Sequence, residues 1–316
     1  MGKRITGSIL ILALLLTLCS CKSTQTEMPP RELIIGVVAK CANTEYWMSV
    51  RSGMEAAAKK SDCRVLFFAP NSEEDAEAQE KLASSLIRRR VDVLAVSPID
   101  AVNEPAYLRE ARKLGIPVIS YDSAFESGEI AYIGIDNQLA GYQMAANLAK
   151  RLDYQGEIGI VSGEQDQMCH RERVEGIKRY IETVPGMKIS YIESGYSGAK
   201  MSGEKVSELR RDYPDILAGV KGLVVTSAVT ALGIIESSEA AGLRIVTIDV
   251  QEDVLYALKN KQIIGLVAQS GYDIGYKTIN YARALKTGQV KEKNVIIEAE
   301  FLTAENVEDY LEKHTQ

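Results

Sequence analysis

The sequence predicts an α/β protein made of two doubly wound, Rossmann-like lobes, and three observations carry that prediction. Short β-rich runs alternate with amphipathic helical windows along most of the chain. The runs are apolar throughout rather than alternating, as expected of parallel strands covered by helices on both faces. The β-α order also runs twice, once up to Tyr121 and again from Glu157 to Ile248, which suits two similar lobes of about 120 residues each.

The chain opens on a different kind of segment. Lys3 and Arg4 form a short positive region, Ile9–Leu18 an almost wholly apolar one, and Leu18-Cys19-Ser20-Cys21 resembles a bacterial lipobox. The apolar run is shorter than the ~20 residues that span a bilayer. This reading makes residues 1–20 a lipoprotein signal peptide cut before Cys21. Cys21 is the lipidation site, and residues 21–32 are a polar tether containing KSTQTEMPPR, which lacks the apolar surface to order itself. An uncleaved anchor helix, or a signal peptide cut elsewhere, is the alternative. The expected location is the extracytoplasmic face of the cell membrane.

Candidate strands follow at Leu33–Ala39, Arg64–Ala69, Val91–Val96, Pro117–Tyr121, Ala131–Ile135, Glu157–Val161, Lys188–Ile192, Gly222–Thr226, Arg244–Ile248, Ile263–Ala268 and Val295–Phe301. Between them, Val50, Met54, Ala57 and Ala58 form one helical stripe, Ala78, Leu82, Leu86 and Ile87 a second, and Leu139, Met144, Leu148 and Leu152 a third. No Pro/Gly-rich linker parts the halves, as expected of lobes sharing several short crossings. Ligands on such sheets bind beyond the carboxyl ends of the strands. The residues there are polar: Lys40 and Asn43 to Trp47, Ser97 to Asp100, Asp122-Ser123, Ser162 to Arg173, Ser227, Asp249 and Gln269. Carboxylates that accept from adjacent hydroxyls, an Arg fork and aromatic faces together suit a neutral polyhydroxylated ligand.

Composition narrows the field. The formal net charge is −6, and removing residues 1–20 makes it more acidic. Arg88-Arg89-Arg90, the one basic run, reads as a solvated helix end. Nucleic acid is therefore not an expected partner. Cys41, Cys63 and Cys169 fit no zinc pattern and, being odd in number, cannot all pair. Free thiols or a single disulfide both remain open. No metal or other cofactor is expected. The absence of G-x-S-x-G, of a GxGxxG after the first strand, and of an evident partner for His170 or His314 argues against an enzyme.

Blocks in order along the chain carry a family resemblance: IIGVVAKCANTEYWMSVRSGMEAAAK, LASSLIRRRVDVLAVSPID, LGIPVISYDS, YIGIDNQLAGYQMA, RERVEGIK, ALGIIESSEAAG, IVTIDVQED and IIGLVAQSGYDIG. Together they resemble the type I periplasmic sugar-binding proteins, of the ribose-binding-protein-like group that shares its core with LacI-type repressors. The resemblance spans nearly all of residues 33–307. It implies a three-crossing hinge near Ile135/Asp136, Gln269/Ser270 and Ile297/Glu298. It also implies an N-terminal lobe of 33–135 plus 270–297, a C-terminal lobe of 136–269 plus 298–316, a cleft that closes on one small ligand, and a monomer. Mapped by motif, Tyr46 and Trp47 stack on the ligand, Asp122 and Asp249 hold hydroxyls, Arg173 serves from the second lobe and Gln269 from the hinge. Lys40, Thr44, Ser123 and Ser227 adjoin them.

Each assignment has a plainer rival. Asp122 and Asp249 are also good caps after strands, Trp47 a good core residue, and Arg173 has acidic neighbours. Tyr196 is a further candidate for the cleft. Lys40, Thr44, Ser123 and Ser227 depart from the ribose-binding pattern, so ribose itself is not the expected ligand. The Lys after the first strand and Asp122-Ser123 are similar to the autoinducer-2 receptors of this fold. The leading function is a lipid-anchored receptor that delivers a monosaccharide, polyol or related molecule to an ABC importer. The alternative is a sensor presenting its bound state to a membrane histidine kinase or chemoreceptor. A repressor is excluded, because residues 1–31 hold a signal and tether where a DNA-binding helix-turn-helix would stand.

Overall fold

Two six-stranded sheets organise the chain in a computed structural model that describes residues 31–194, 219–236 and 242–314, with Glu204, Glu208 and Arg211. Tyr196, and the signal and tether up to residue 30, lie outside the described residues. The first sheet contains β1 (Leu33–Val38), β2 (Cys63–Phe68), β3 (Val93–Val96), β4 (Val118–Tyr121), β5 (Ala131–Gly134) and β11 (Val295–Ile296), in the order β11-β5-β4-β3-β1-β2. The second contains β6 (Gly156–Val161), β7 (Met187–Glu193), β8 (Val220–Val225), β9 (Arg244–Ile248), β10 (Gly265–Ala268) and β12 (Glu300–Leu302), in the order β12-β10-β9-β8-β6-β7. Strand for strand the two orders correspond. All pairs are parallel except β12, which runs antiparallel to β10. The doubly wound, two-lobed α/β class read from the sequence is the one observed.

The final apolar run is the main correction. Val295–Phe301 reads as one strand, but Val295 pairs with Ile133 in the first sheet whereas Phe301 pairs with Val267 in the second. The intervening Ile297–Ala299 carries the chain between the sheets. The other two passages lie between Gly134 and Asn137, and between Ala268 and Gly271.

The helices follow from caps and stripes. Helix α1 (Glu45–Ser61) starts at Thr44, whose hydroxyl accepts from Trp47 N, and ends at Asp62 in a left-handed turn with φ 47°. Asp75 caps α2 (Ala76–Arg88), and α3 (Ala106–Lys113) follows Pro105. Asp136 caps α4 (Asn137–Arg151), and Ser270 caps α8 (Gly271–Lys286), so a capped helix follows each of the first two passages. Between these two lie α5 (Met168–Ile181), α6 (Ala228–Glu236) and α7 (Glu252–Lys259), and α9 (Val307–His314) closes the order. The stripe predicted on α4 needs one change. Leu139 is 51% exposed, and the buried face runs Ala140, Gly141, Met144, Ala145, Leu148 and Ala149. Leu139 and Met144 are five apart, off the helical period.

Equivalent helix pairs cover one face of each sheet, α1 with α8 and α4 with α5. Both depend on glycines at the crossing. A Cβ at Gly53 would stand 2.0 Å from Tyr272 O, one at Gly275 2.0 Å from Val50 O, one at Gly141 2.0 Å from Arg173 O, and one at Gly176 2.0 Å from Gln138 O. The Arg88–Arg90 run ends α2 as expected: Arg88, Arg89 and Arg90 are exposed, and Arg89 lies 5.2 Å over the Phe68 ring. Cys41, Cys63 and Cys169 are buried and none of them is in a disulfide. Among the described residues no helix is long and apolar enough to cross a membrane.

Candidate ligand-binding site

The carboxyl ends of both sheets face a shared cavity between the lobes. Its lining comprises Lys40, Thr44, Tyr46, Trp47, Glu73 and Asp122 from the first lobe and Cys169, His170, Arg173, Ser227, Val229, Asp249 and Gln251 from the second, with Gln269 at a passage between them. Nine of the ten ligand-contact residues expected from the sequence are therefore brought together. The tenth, Ser123, is fully buried outside the lining, and its hydroxyl accepts from Cys169 N across the lobes at 3.2 Å. It follows Asp122, whose left-handed backbone (φ 61°) sends the two neighbouring side chains different ways.

Asp122 is the most heavily bonded group in the cavity. Its Oδ1 accepts from the Tyr46 hydroxyl at 2.6 Å and Gln269 Nε2 at 3.1 Å, and its Oδ2 from Ser97 Oγ at 2.9 Å and Lys40 Nζ at 3.1 Å. Burial pushes this carboxyl up, but Lys40, the Tyr46 hydroxyl and Arg173 outweigh burial and hold it below the ordinary aspartate range. Burial likewise opposes the Lys40 ammonium, and Asp122, Cys169 and Glu73 more than reverse that, so Lys40 stays charged at 2% exposure. Its Nζ also donates to Cys169 Sγ in the other lobe at 3.2 Å.

Arg173 ties the second lobe to the hinge. Its guanidinium donates to Asn137 Oδ1 at 2.9 Å, Thr226 O at 2.9 Å and Gln269 Oε1 at 3.0 Å. Neither neighbouring glutamate takes it, as the geometry of successive helical residues requires. Gln269 donates to the Tyr46 hydroxyl, so one amide couples the aromatic of the first lobe to the arginine of the second. Trp47 is not only a core residue. Its indole N–H donates to Glu73 Oε1 at 2.7 Å, and its ring meets Tyr46 and Tyr121 edge-on at 5.2 and 6.2 Å. His170 Nδ1 lies 2.9 Å from Thr226 Oγ1, and burial, with Arg173 and Lys40 adding to it, keeps the ring neutral.

Asp249 is the counterpart left open. It stands after β9 with φ 74°, and its Oδ1 is buried without a hydrogen-bond partner. Burial raises its carboxyl to about 6, only partly offset by Arg173. Glu73, Val229 and Gln251 are lining residues that lie outside the strand ends named from the sequence. Glu73 comes from the loop after β2.

The lobes also touch around the cavity. Both Glu45 carboxylate oxygens lie 3.0 Å from Glu252 N, Arg171 pairs with Glu126 at 2.6 Å, Gln167 Nε2 donates to Glu73 O at 3.2 Å, and Ala101 N donates to Asp166 O at 3.0 Å. The cavity they enclose measures about 40 Å³, room for about three waters. The lobes are thus closed, with most of the cavity's polar groups satisfying one another.

Comparison with known proteins agrees with this architecture. The model of a periplasmic binding protein domain matches residues 35–289. The ribose import binding protein of Bacillus subtilis (strain 168) is 26% identical over 304 residues, covering 93% of this chain and 96% of its own. The D-ribose/D-allose-binding protein of Pseudomonas aeruginosa is 25% identical over 323 residues, covering 96% and 99%. A solute-binding protein from Burkholderia graminis, solved in complex with D-arabinose, matches with a TM-score of 0.80 at 25% identity over 88% of this chain and 97% of its own.

Proposed function

The chain belongs to the periplasmic binding protein family, as a type I sugar-binding member, and from that premise we propose that it captures a monosaccharide, polyol or related small molecule in the inter-lobe cavity and delivers it to an ABC importer. The observation that carries this reading is the cavity itself: carboxylates, an arginine, an amide and two aromatics from both lobes converge on one enclosed space, and one buried carboxylate oxygen there has no partner. A hydroxyl-rich ligand supplies donors to Asp249 and apolar C–H faces to Tyr46 and Trp47. Because the closed cavity is smaller than a sugar ring, the ligand enters by separation of the lobes and takes over part of the Tyr46–Asp122–Gln269–Arg173 network as they close again.

The ligand residues are Lys40, Thr44, Tyr46, Trp47, Asp122, Arg173, Ser227, Asp249 and Gln269, with Ser123 acting on closure rather than by direct contact. Delivery works from the membrane surface through a lipid on Cys21. A thermal-shift screen of pentoses, hexoses and polyols is expected to stabilise the protein with at least one compound, and Arg173→Ala is expected to abolish that shift. No response from folded protein stripped of carried ligand would count against the whole reading. Cys21→Ser is expected to release the protein from membranes. In a deletion strain, loss of uptake supports delivery, whereas intact uptake with a lost transcriptional response would reassign the protein to sensing.

A further inference from the structure

Which groups in the cavity remain uncommitted says more about the ligand than which groups line it. Lys40 is engaged by Asp122 and Cys169. Arg173 spends its guanidinium on Asn137, Thr226 and Gln269. Asp122 has a donor on each oxygen. Two carboxylates remain. Asp249 Oδ1 is buried without a partner in the second lobe. In the first lobe Glu73 lines the cavity, and among the described residues the one side-chain hydrogen bond to its carboxylate comes from the Trp47 indole at Oε1.

Charge points the same way. Three carboxylates, Glu73, Asp122 and Asp249, share the lining with two cations, Lys40 and Arg173, beside a neutral His170. Lys40 pairs closely with Asp122, and Arg173 is bonded to neutral oxygens, so the lining is short by one positive charge. A buried charge without a counter-ion is costly, and a ligand that brings one gains accordingly. Burial pushes both Glu73 and Asp249 up from the ordinary carboxylate range, Asp122 adds to both shifts as a like-charged neighbour, and Glu73 adds to that of Asp249.

Resting on the sugar-receptor reading above, we infer that Glu73 and Asp249 form a two-lobe clamp for a protonated amine, so that the ligand is an amino sugar or amine-bearing polyol. The Trp47 indole N–H fixes the Glu73 carboxylate from one side and leaves the ring beside the bound ammonium, where a cation is further favoured. Lys40 is then a specificity element: it neutralises Asp122 and keeps that carboxylate from competing for the amine.

The test is calorimetric titration of the full chain at pH 7 with matched pairs: D-glucosamine against D-glucose, and D-galactosamine against D-galactose, each with its N-acetyl form. The amine is expected to bind at least about tenfold tighter than its hydroxyl counterpart, the difference between a charge-assisted and a neutral hydrogen bond. Acetylation is expected to remove that advantage, and Glu73→Gln, with folding checked by its melt, to bring the ratio toward one. Equal or tighter binding of the neutral sugars would overturn the clamp while leaving the receptor reading intact, as would a preference untouched by Glu73→Gln. Silence from every compound here would overturn the clamp, and only silence in the wider screen of pentoses, hexoses and polyols as well would sink the receptor reading.

Discussion

Asp122 and Asp249 occupy equivalent places in the two lobes and are treated in opposite ways. Each follows the fourth strand of its lobe, each has a left-handed φ, 61° and 74°, and each N–H donates to the neighbouring strand, to Ile133 O at 2.9 Å and Val267 O at 3.0 Å. Aspartate tolerates that conformation better than most residues. The difference is in the side chains. Asp122 has the hydroxyls of Tyr46 and Ser97, the Gln269 amide and the Lys40 ammonium, and Asp249 Oδ1 has nothing. One fold therefore supplies two kinds of carboxylate. In the first lobe it is stabilised by its partners, and in the second burial disfavours its charged form.

Substitutions can break that contrast. The largest effect is expected from Asp122→Ala, which strands the Lys40 ammonium in the interior and costs about 3–5 kcal/mol in urea unfolding. A parent-like midpoint would show Lys40 to be less dependent on this partner. The Asp122 contribution is present above the ordinary aspartate range, and it disappears as pH falls through the depressed folded value.

Next come the helix crossings, which test whether the lobes are equivalent away from the site. Gly53→Ala and Gly141→Ala both drive a Cβ onto a backbone carbonyl, and each is expected to cost about 1–3 kcal/mol. Markedly unequal melts would mean that only one pair is tightly fixed.

Asp249→Asn should do the reverse of Asp122→Ala and stabilise the protein without ligand by about 3 kcal/mol at pH 7. The folded carboxyl sits at about 6, above roughly 3.9 in the unfolded chain, so the folded state holds its proton longer. Stability of the parent therefore falls as pH rises through that window, and the variant escapes the fall. The two stability curves should converge below about pH 4, while the variant loses ligand affinity. Convergence at high pH instead would reverse the assignment. The smallest change is Glu45→Ala, which removes a carboxylate from Glu252 N across the cleft. It is worth about 1 kcal/mol and is expected to enlarge the radius of gyration by favouring open lobes.

The fold was legible because parallel strands covered on both faces are apolar throughout, so their polar ends stand out. That contrast marked Lys40, Asp122, Arg173, Asp249 and Gln269, which share one cavity lining in the structure, without any contact being known. Glu73 escaped because it lies beyond β2 in the acidic stretch Glu73-Glu74-Asp75, which looks like an ordinary solvated turn. Only the Trp47 indole, 26 residues away, distinguishes it from its neighbours. Ser123 was expected beside Asp122 in the lining but lies outside it, because adjacency along the chain says nothing about where a left-handed residue sends the next side chain. Val295–Phe301 read as one strand because both its ends are apolar and β-prone, and which sheet each end joins is decided by partners elsewhere in the chain.

That last segment has a consequence for how the molecule is assembled in time. Val295–Ile296 completes the edge of the first sheet and Glu300–Leu302 that of the second, and α8, which covers the first sheet, begins only at Gly271. The lobe whose strands are made first thus waits for almost the whole chain. Such distant pairings slow folding, because loop-closure entropy is lost before the contacts repay it. A chain built this way leaves its first sheet without an edge strand until nearly all of it has been made.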